Sequence, residues 1–338
     1  MHSSPASSLV SESRAVICWA FLRLANRQIK LMEAAPHRAA LEVMDHLTIH
    51  ETPDKKLDRL VIVFGGWADA AESATSAIKF LQRKLNAKKF AEIDPEEFYD
   101  FSQTRPYTSR TRDGNRRIHW PTNEFSYLTN PGSETGIMVF SGVEPNLKWR
   151  TFSKTVAKVA RDHGVDSVIH IGALLDAVPH TRPVRLSGTA SEPKLNEFLE
   201  SQGIRPSNYQ GPTGISSAVM EACLNEGMEY TSIWGHTAHY LQAAPNHRIG
   251  STLLQILVKL LNIPLDLAEL FSAADVFNEE VAKAVAKDEQ ISSYVTKLEG
   301  QYDEAVAAIE IPDPAELVRD LERFLRGAQR RPPTEPSA

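Results

Sequence analysis

A short apolar run that ends at glycine and leads into a helical pattern is the feature that most limits the possible folds of this chain. The run at residues 60–64 is rich in β-branched residues and ends at Gly65. Apolar residues then recur at spacings of three and four from Ala74 to Leu85, which is typical of an amphipathic helix. A continuous apolar strand that leads into such a helix indicates a parallel sheet with both faces covered.

Similar strand-like runs return later in the chain. They lie at residues 137–140, 167–171 and 230–234, and each ends close to a glycine. Helical patterns separate them, so the sequence predicts an α/β fold with a mostly parallel central sheet flanked by helices. Residues 99–101 and 117–120 are interpreted as two shorter strands near an edge of the sheet.

The pattern also predicts how the chain is divided. Residues 251–261 are apolar nearly all round, which indicates a buried helix, and only helical patterns follow Pro264. The expected regions are an N-terminal extension that is partly disordered or helical (1–52), an α/β core domain (53–264), a small all-helical C-terminal region (265–328) and a disordered tail (329–338).

Composition excludes several classes of protein. The 338 residues include 37 Lys and Arg against 43 Asp and Glu, a net charge of −6, and so carry no basic signature of nucleic-acid binding. Two cysteines, Cys18 and Cys223, cannot form a disulfide framework. No run approaches the roughly 20 apolar residues of a membrane span. We expect a cytoplasmic protein that binds neither nucleic acid nor membrane.

The N-terminus leaves alternatives open. Residues 14–22 combine an arginine with an apolar run, as a short signal sequence does, but Arg23 and Arg27 follow without a convincing cleavage site. We interpret the segment as a helical or loosely ordered extension. An amphipathic membrane anchor and a later start at Met32 or Met44 are the alternatives.

Glycines after the predicted strands are candidate ligand contacts. Gly65 and Gly66 have neither the GxGxxG spacing nor that of a P-loop, so no nucleotide cofactor is expected. A small anion can bind at the N-terminus of the following helix, beside Asp69. Gly142, and Gly214 in a loop that opens a helix, offer similar backbone contacts. Structural turns explain the same glycines.

His180, Thr181 and Arg182 form the most distinctive polar cluster and stand between two prolines. They follow a predicted strand, and α/β folds bind ligands outside the carboxyl ends of their strands. His180 can act as an acid or base, Arg182 can hold an anion in a bidentate manner, and Glu144 is a candidate partner. The alternative is a rigid loop in which Arg182 pairs with a nearby acid such as Asp176 or Glu144.

Other reactive groups give weaker signals. His236, His239 and His247 have no zinc-site spacing, so no metal is expected and the histidines are interpreted as hydrogen-bonding groups in a loop or at a subunit contact. Cys223 lies on an apolar helical face and is expected in the core. No GxSxG motif is present, and no nucleophile is identified.

Taken in order, these segments resemble the proteasome assembly chaperone 2 family, in particular its actinobacterial-type bacterial branch. The resemblance covers about residues 55–328 and is most specific from His180 to Pro183. The matching segments are 61–70, 141–145 with Trp149, 178–184, 209–214, His239 with Tyr240, and 298–303.

The resemblance implies an α/β core similar to purine nucleoside phosphorylases and related hydrolases. It also implies a homo-oligomer, with a trimer favoured. Eukaryotic and archaeal relatives help to assemble proteasome rings, whereas bacterial ones have no settled activity. We therefore expect a non-enzymatic oligomeric scaffold or chaperone-like protein with an unidentified protein partner. The alternative is a phosphorylase/hydrolase-like enzyme or ligand sensor with a pocket around His180 and Arg182.

One departure from the family bears on how a partner is bound. Archaeal relatives can engage the proteasome through a hydrophobic-Tyr-X tail, whereas this sequence ends in Pro336, Ser337 and Ala338. We therefore expect a partner to contact the α/β body or the helical region.

Overall fold

The computed structural model describes residues 44–129, 132–241 and 244–310. The strands in these ranges are β1 (Leu47–Ile49), β2 (Leu57–Gly65), β3 (Lys88–Ile93), β4 (Tyr107–Arg110), β5 (Arg116–His119), β6 (Asn123–Thr129), β7 (Gly136–Val143), β8 (Ser167–Asp176), β9 (Leu186–Ala190) and β10 (Glu229–Ala238). The helices are α1 (Ser73–Lys84), α2 (Trp149–Asp162), α3 (Pro193–Ser201), α4 (Ile215–Asn225), α5 (His247–Leu261), α6 (Ala268–Val285) and α7 (Glu289–Glu310).

Eight strands form one mixed sheet, in the order β1-β3-β6-β7-β2-β8-β10-β9. Its four central strands, β7, β2, β8 and β10, are parallel, and the flanking strands on both sides pair antiparallel. The predicted α/β class with a parallel central sheet is confirmed. The carboxyl ends of the central strands meet at one edge, which we call the carboxyl edge.

Helices cover both faces of this sheet. Helices α1 and α5 pack on one face, where Leu81 and Leu253 are buried. Helices α2 and α4 pack on the other, where Phe152 and Val219 are buried. Because both faces are covered, residues 60–64 of β2 are all buried. This explains why that segment is a continuous apolar run and does not alternate with polar residues.

Two of the shorter predicted strands differ from the structure. Residues 99–101 form no strand, because Tyr99 serves as a buried side chain whose hydroxyl lies 2.7 Å from Asn123 Oδ1 and 2.6 Å from the Val143 carbonyl oxygen. The segment Arg116–His119 is a strand, but it pairs with Tyr107–Arg110 in a separate hairpin and not at the edge of the main sheet.

The ends of the core also differ from the predicted boundaries. Strand β1 lies within the expected N-terminal extension and pairs antiparallel with β3, so the main sheet begins before residue 53. The described part of the expected C-terminal helical region forms α6 and α7, and Val281, Val295 and Leu298 of the predicted apolar stripes are buried.

The expectations for residues 14–22, for residues 311–328 and for the tail lie outside the described residues. Among the helices that the structure describes, none combines the length and apolar character that a bilayer span requires.

A buried histidine lies in the middle of the sheet. The His170 ring packs against the Trp234 and Phe64 rings, with centroid distances of 5.1 and 6.2 Å. Neither ring nitrogen has a hydrogen-bond partner among the described residues. Burial lowers the pKa of His170 to about 4, so the folded core contains the neutral imidazole at neutral pH.

Because His170 titrates near its ordinary pKa of about 6.5 in the unfolded chain, it should make folding stability depend on pH. The contribution of His170 to the free energy of unfolding is fully present above pH 6.5. It is lost as the pH drops toward 4, a decrease of about 3 kcal/mol in total. We expect His170→Leu to remove this part of the pH dependence, as measured by urea unfolding between pH 7 and pH 4. If the free energy of unfolding of His170→Leu depends on pH as steeply as that of the wild type, the lowered pKa of His170 is contradicted.

Candidate functional site

Strands β2 and β7 end side by side at the carboxyl edge. Gly65 pairs with Val143, and the Glu144 N–H donates to the Gly65 carbonyl oxygen at 3.1 Å. Gly66 then adopts a φ of +103°, a conformation that favours glycine, as the chain leaves the strand. The turn leaves the Trp67 side chain largely exposed. The predicted glycine turn is therefore present, and it brings Trp67 and Glu144 to the same edge.

The Glu144 carboxylate binds the N-terminus of α4. Its Oε1 accepts a hydrogen bond from the Ile215 N–H at 2.8 Å. Gly214 permits this approach, because a Cβ there would lie 2.9 Å from Glu144 Oε1 and 3.2 Å from the Trp67 ring. The carboxylate thus occupies the position at a helix N-terminus where an anionic ligand would bind.

The carboxylate of Asp69 binds the N-terminus of α1. Asp69 is buried, and its oxygens accept hydrogen bonds from the N–H groups of Ala74 at 2.6 Å and Thr75 at 3.0 Å, and from the Thr75 hydroxyl. Burial raises the pKa of Asp69, and these hydrogen bonds oppose that rise. Both helix N-termini beside the first glycine loop are therefore bound by carboxylates of the chain itself.

Gly142 serves the packing of the sheet. A Cβ at this position would lie 2.7 Å from Asn123 Oδ1 and 3.0 Å from the Phe140 ring. The lack of a side chain lets β6 approach β7 closely. Contact with a ligand is not needed to explain this glycine.

His180 is held by Tyr240. The Tyr240 hydroxyl accepts the His180 backbone N–H at 2.8 Å and lies 2.7 Å from His180 Nδ1. The tautomer of the ring sets which of the two groups donates in the contact at Nδ1. Burial, together with the nearby charge of Arg248, lowers the pKa of His180. The neutral ring is therefore fixed in orientation by a residue of the loop that follows β10.

Arg182 is bound by the C-terminal helix α7. Its Nε and Nη2 donate to the two carboxylate oxygens of Asp303 at 2.8 and 2.7 Å, and its Nη1 lies 3.3 Å from Glu299 Oε1. The Thr181 hydroxyl donates to the same Glu299 oxygen, and Tyr302 donates to the Pro183 carbonyl oxygen at 3.2 Å. We call these contacts the α7 clamp. Arg182 does pair with acids, although not with Asp176 or Glu144 as the sequence analysis suggested.

The candidate residues form two separate groups. Asp69 and Glu144 bind the N-termini of α1 and α4, whereas His180 and Arg182 bind Tyr240 and α7. No hydrogen bond or ion pair joins the two groups in the described ranges. Two surface clefts, of about 280 and 540 Å³, open elsewhere and are lined by none of these four residues.

The histidines form hydrogen bonds, as inferred, although the loop position inferred for His236 is wrong. His236 lies within β10 and not in a loop, and its ring is 2.7 Å from an Asp176 carboxylate oxygen and 2.9 Å from the Ser187 hydroxyl. His239 instead lies 3.2 Å from the Tyr294 hydroxyl. The structure groups no three metal-binding side chains in the part of the chain that it describes. Sequence reasoning missed Ser187 because its partners come from two other strands and no spacing motif connects them.

Comparisons with known proteins agree on one family. The model described as "PAC2 family" matches residues 63–285. A PAC2 family protein from Streptomyces avermitilis is 33% identical with a TM-score of 0.64, over 70% of this chain and 99% of that one. A proteasome-assembly chaperone homologue from Mycobacterium tuberculosis is 34% identical with a TM-score of 0.63, over 70% and 99% of the two chains. An M. tuberculosis protein of unknown function is 25% identical with a TM-score of 0.70, over 80% and 96%.

No curated protein sequence is significantly similar to this chain.

The α7 clamp should contribute measurably to stability. We expect a double-mutant cycle of Arg182→Gln and Asp303→Asn to give a favourable coupling energy, because the contact is bidentate. The coupling should fall in 1 M salt. The exposed pair Lys283–Glu280 on α6 is the control, and its coupling energy should be smaller. Urea unfolding gives the free energies from which both coupling energies are obtained. Equal coupling energies for the two pairs would contradict a larger contribution of the α7 clamp to stability.

Proposed function

Because the chain belongs to the PAC2 family, we propose that it is a chaperone-like scaffold that forms a homo-oligomer in the cytoplasm and binds a protein partner. The M. tuberculosis relative at 34% identity is described as a proteasome-assembly chaperone homologue, which makes proteasome subunits the first partner to test. The trimer is proposed from the family resemblance. The observation that carries partner binding is an exposed aromatic and basic hairpin.

This hairpin consists of β4, β5 and their flanks, residues 105–120, and we call it the binding hairpin. Among the described strands, these two pair only with each other and form a separate two-stranded sheet. Tyr107, Ile118 and Trp120 are 64%, 54% and 48% exposed, and all three line the cleft of about 540 Å³. Several large apolar side chains exposed together are typical of a protein–protein interaction site.

The charge of the binding hairpin indicates the chemistry of its partner. Residues 102–123 contain five arginines and one acidic residue, Asp113, although the whole chain is acidic. All five arginines are exposed, and none forms an ion pair with a described residue. The arginines are Arg105, Arg110, Arg112, Arg116 and Arg117. A partner surface with carboxylates around an apolar patch would complement this charge.

The proposal does not require chemistry at the predicted polar cluster. Arg182 is committed to Asp303 and Glu299, and Asp69 and Glu144 fill the helix N-termini that a small anion would need. These contacts give no support to the alternative of a phosphorylase-like pocket around His180 and Arg182. They support a rigid body that presents binding surfaces.

The oligomer can be tested by mass. We expect the purified protein to elute in size-exclusion chromatography with light scattering at three times the 37.6 kDa chain mass. A mass that stays at one chain over a hundredfold range of concentration would contradict the homo-oligomer.

Partner binding can be tested on the hairpin. We expect Tyr107→Ser combined with Ile118→Ser and Trp120→Ser to weaken binding to purified bacterial proteasome α-subunits at least about tenfold, because exposed aromatic anchors dominate interface energies. Biolayer interferometry gives the dissociation constants, and circular dichroism checks the fold.

The matched control changes three apolar residues of comparable exposure elsewhere, Leu224, Phe271 and Val276, to serine and should bind as the wild type does. Equal binding by the two triple variants would contradict the assignment of the hairpin. Absence of wild-type binding would contradict the choice of proteasome subunits.

A further inference from the structure

Three polar side chains on neighbouring strands form a connected set at the carboxyl edge. His236 Nδ1 lies 2.7 Å from Asp176 Oδ2, and His236 Nε2 lies 2.9 Å from Ser187 Oγ. We propose that Asp176, His236 and Ser187 form a nucleophilic site of the serine-hydrolase type, an activity that goes beyond the binding function proposed above. A triad of this kind is recognised by geometry and roles, and not by the order of its residues in the chain.

The protonation of the set follows from its partners. Asp176 Oδ1 accepts the Ala177 N–H at 2.7 Å, whereas Oδ2 faces His236 Nδ1 at 2.7 Å and Arg185 Nη1 at 3.8 Å. The hydrogen bond from His236, together with that from Ala177, holds the pKa of Asp176 below its ordinary value. An ionised carboxylate only accepts, so His236 Nδ1 carries the proton. In the neutral ring Nε2 is then an acceptor, and the Ser187 hydroxyl donates to it. General-base activation of a serine requires this arrangement.

The topology places the set where α/β sheets bind ligands. Asp176 is the last residue of β8, and His236 lies two residues before the end of the parallel strand β10. Strand β9 runs antiparallel to β10, so Ser187 near its start lies at the same edge. Ligands of α/β sheets bind outside the carboxyl ends of the parallel strands.

Burial limits the size of the substrate. Ser187 is 7% exposed and the His236 side chain 10% exposed, which shields their hydrogen bond from water. Because Ser187 and His236 are nearly buried, the expected substrate class is a short-chain carboxylic ester. The exposed loop 206–214 starts beside Ser187, since the Gly188 N–H donates to the Arg205 carbonyl oxygen at 2.9 Å.

The reaction balances without a cofactor. Ser187 Oγ attacks the ester carbonyl carbon while its proton passes to His236 Nε2. The tetrahedral intermediate expels the alcohol, which takes that proton, and the acyl group remains on Ser187. Water then attacks the acyl carbon and gives a proton to His236. The carboxylic acid leaves, and Ser187 Oγ recovers the proton. Asp176 stays ionised throughout and acts as a positioning residue.

The direct test is labelling with a fluorophosphonate, which forms an Oγ–phosphorus bond and releases fluoride. We expect one adduct per chain, assigned to Ser187 by peptide mass spectrometry. Ser187→Ala should remove it, and His236→Ala should slow it by about 100-fold or more, as expected on loss of a general base. Hydrolysis of p-nitrophenyl acetate should likewise be lost in Ser187→Ala and slowed in His236→Ala. Thermal unfolding confirms that each variant is folded.

Ser201 on α3 provides a control outside both proposed sites. Its hydroxyl donates to the Phe198 carbonyl oxygen at 2.7 Å and has no histidine partner among the described residues. Ser201→Ala should label as the wild type does. This comparison separates a serine without a histidine partner from one in a complete triad.

Asp176→Asn tests the positioning role by its pH dependence. The wild-type labelling rate should rise with pH. Removal of the carboxylate should lower the maximal rate and move the inflection of this pH profile. An unchanged inflection would contradict the role of Asp176. Absence of an adduct on Ser187 in the folded wild type, under conditions that label a known serine hydrolase, overturns the proposal. An adduct formed equally fast in His236→Ala also overturns it, because the serine is then not activated by the ring.

Discussion

The carboxyl edge of the sheet depends on how two helix N-termini satisfy their backbone N–H groups. Helices α1 and α4 both begin there, and each presents donors that need an acceptor. Asp69 provides the acceptor for α1 and Glu144 provides it for α4. Because these carboxylates are fixed, the turns that carry them are fixed as well. The part of the edge beside Gly65 and Gly66 is therefore rigid, and its helix N-termini are already bound by carboxylates, so it gives no support to an anion pocket there.

The sequence predicts well what depends on neighbouring residues. The continuous apolar run of β2 predicts a buried parallel strand, and Cys223 is in the core as its helical position indicates. Contacts between distant segments have no such signal. Arg182 pairs with Asp303, and His236 lies 49 positions from Ser187. The prediction of a strand at residues 99–101 is wrong because the apolar residues there fill the core from a turn, and local periodicity cannot separate the two cases.

Two parts of the surface differ in whether their charged side chains have partners within the chain. At the carboxyl edge the charged groups have partners within the chain, as Arg182 and Glu144 illustrate. On the binding hairpin the arginines have none among the described residues, and Trp120 is half exposed although its ring contacts Phe101 at a centroid distance of 4.9 Å. Binding of a partner would change the solvation of the hairpin most. The buried Ser187 site is separate in chemistry from that surface, so the two proposals can fail independently.

The α7 clamp also has a mechanical consequence. The loop that it grips, residues 177–185, connects the strand that ends at Asp176 with the strand that contains Ser187. Its contacts with α7 are ionic and polar, and they fix the middle of this connection to a helix that follows it by more than a hundred residues. Force applied to α7 would therefore be transmitted to both strand ends. The last described helix limits how far those two ends can separate.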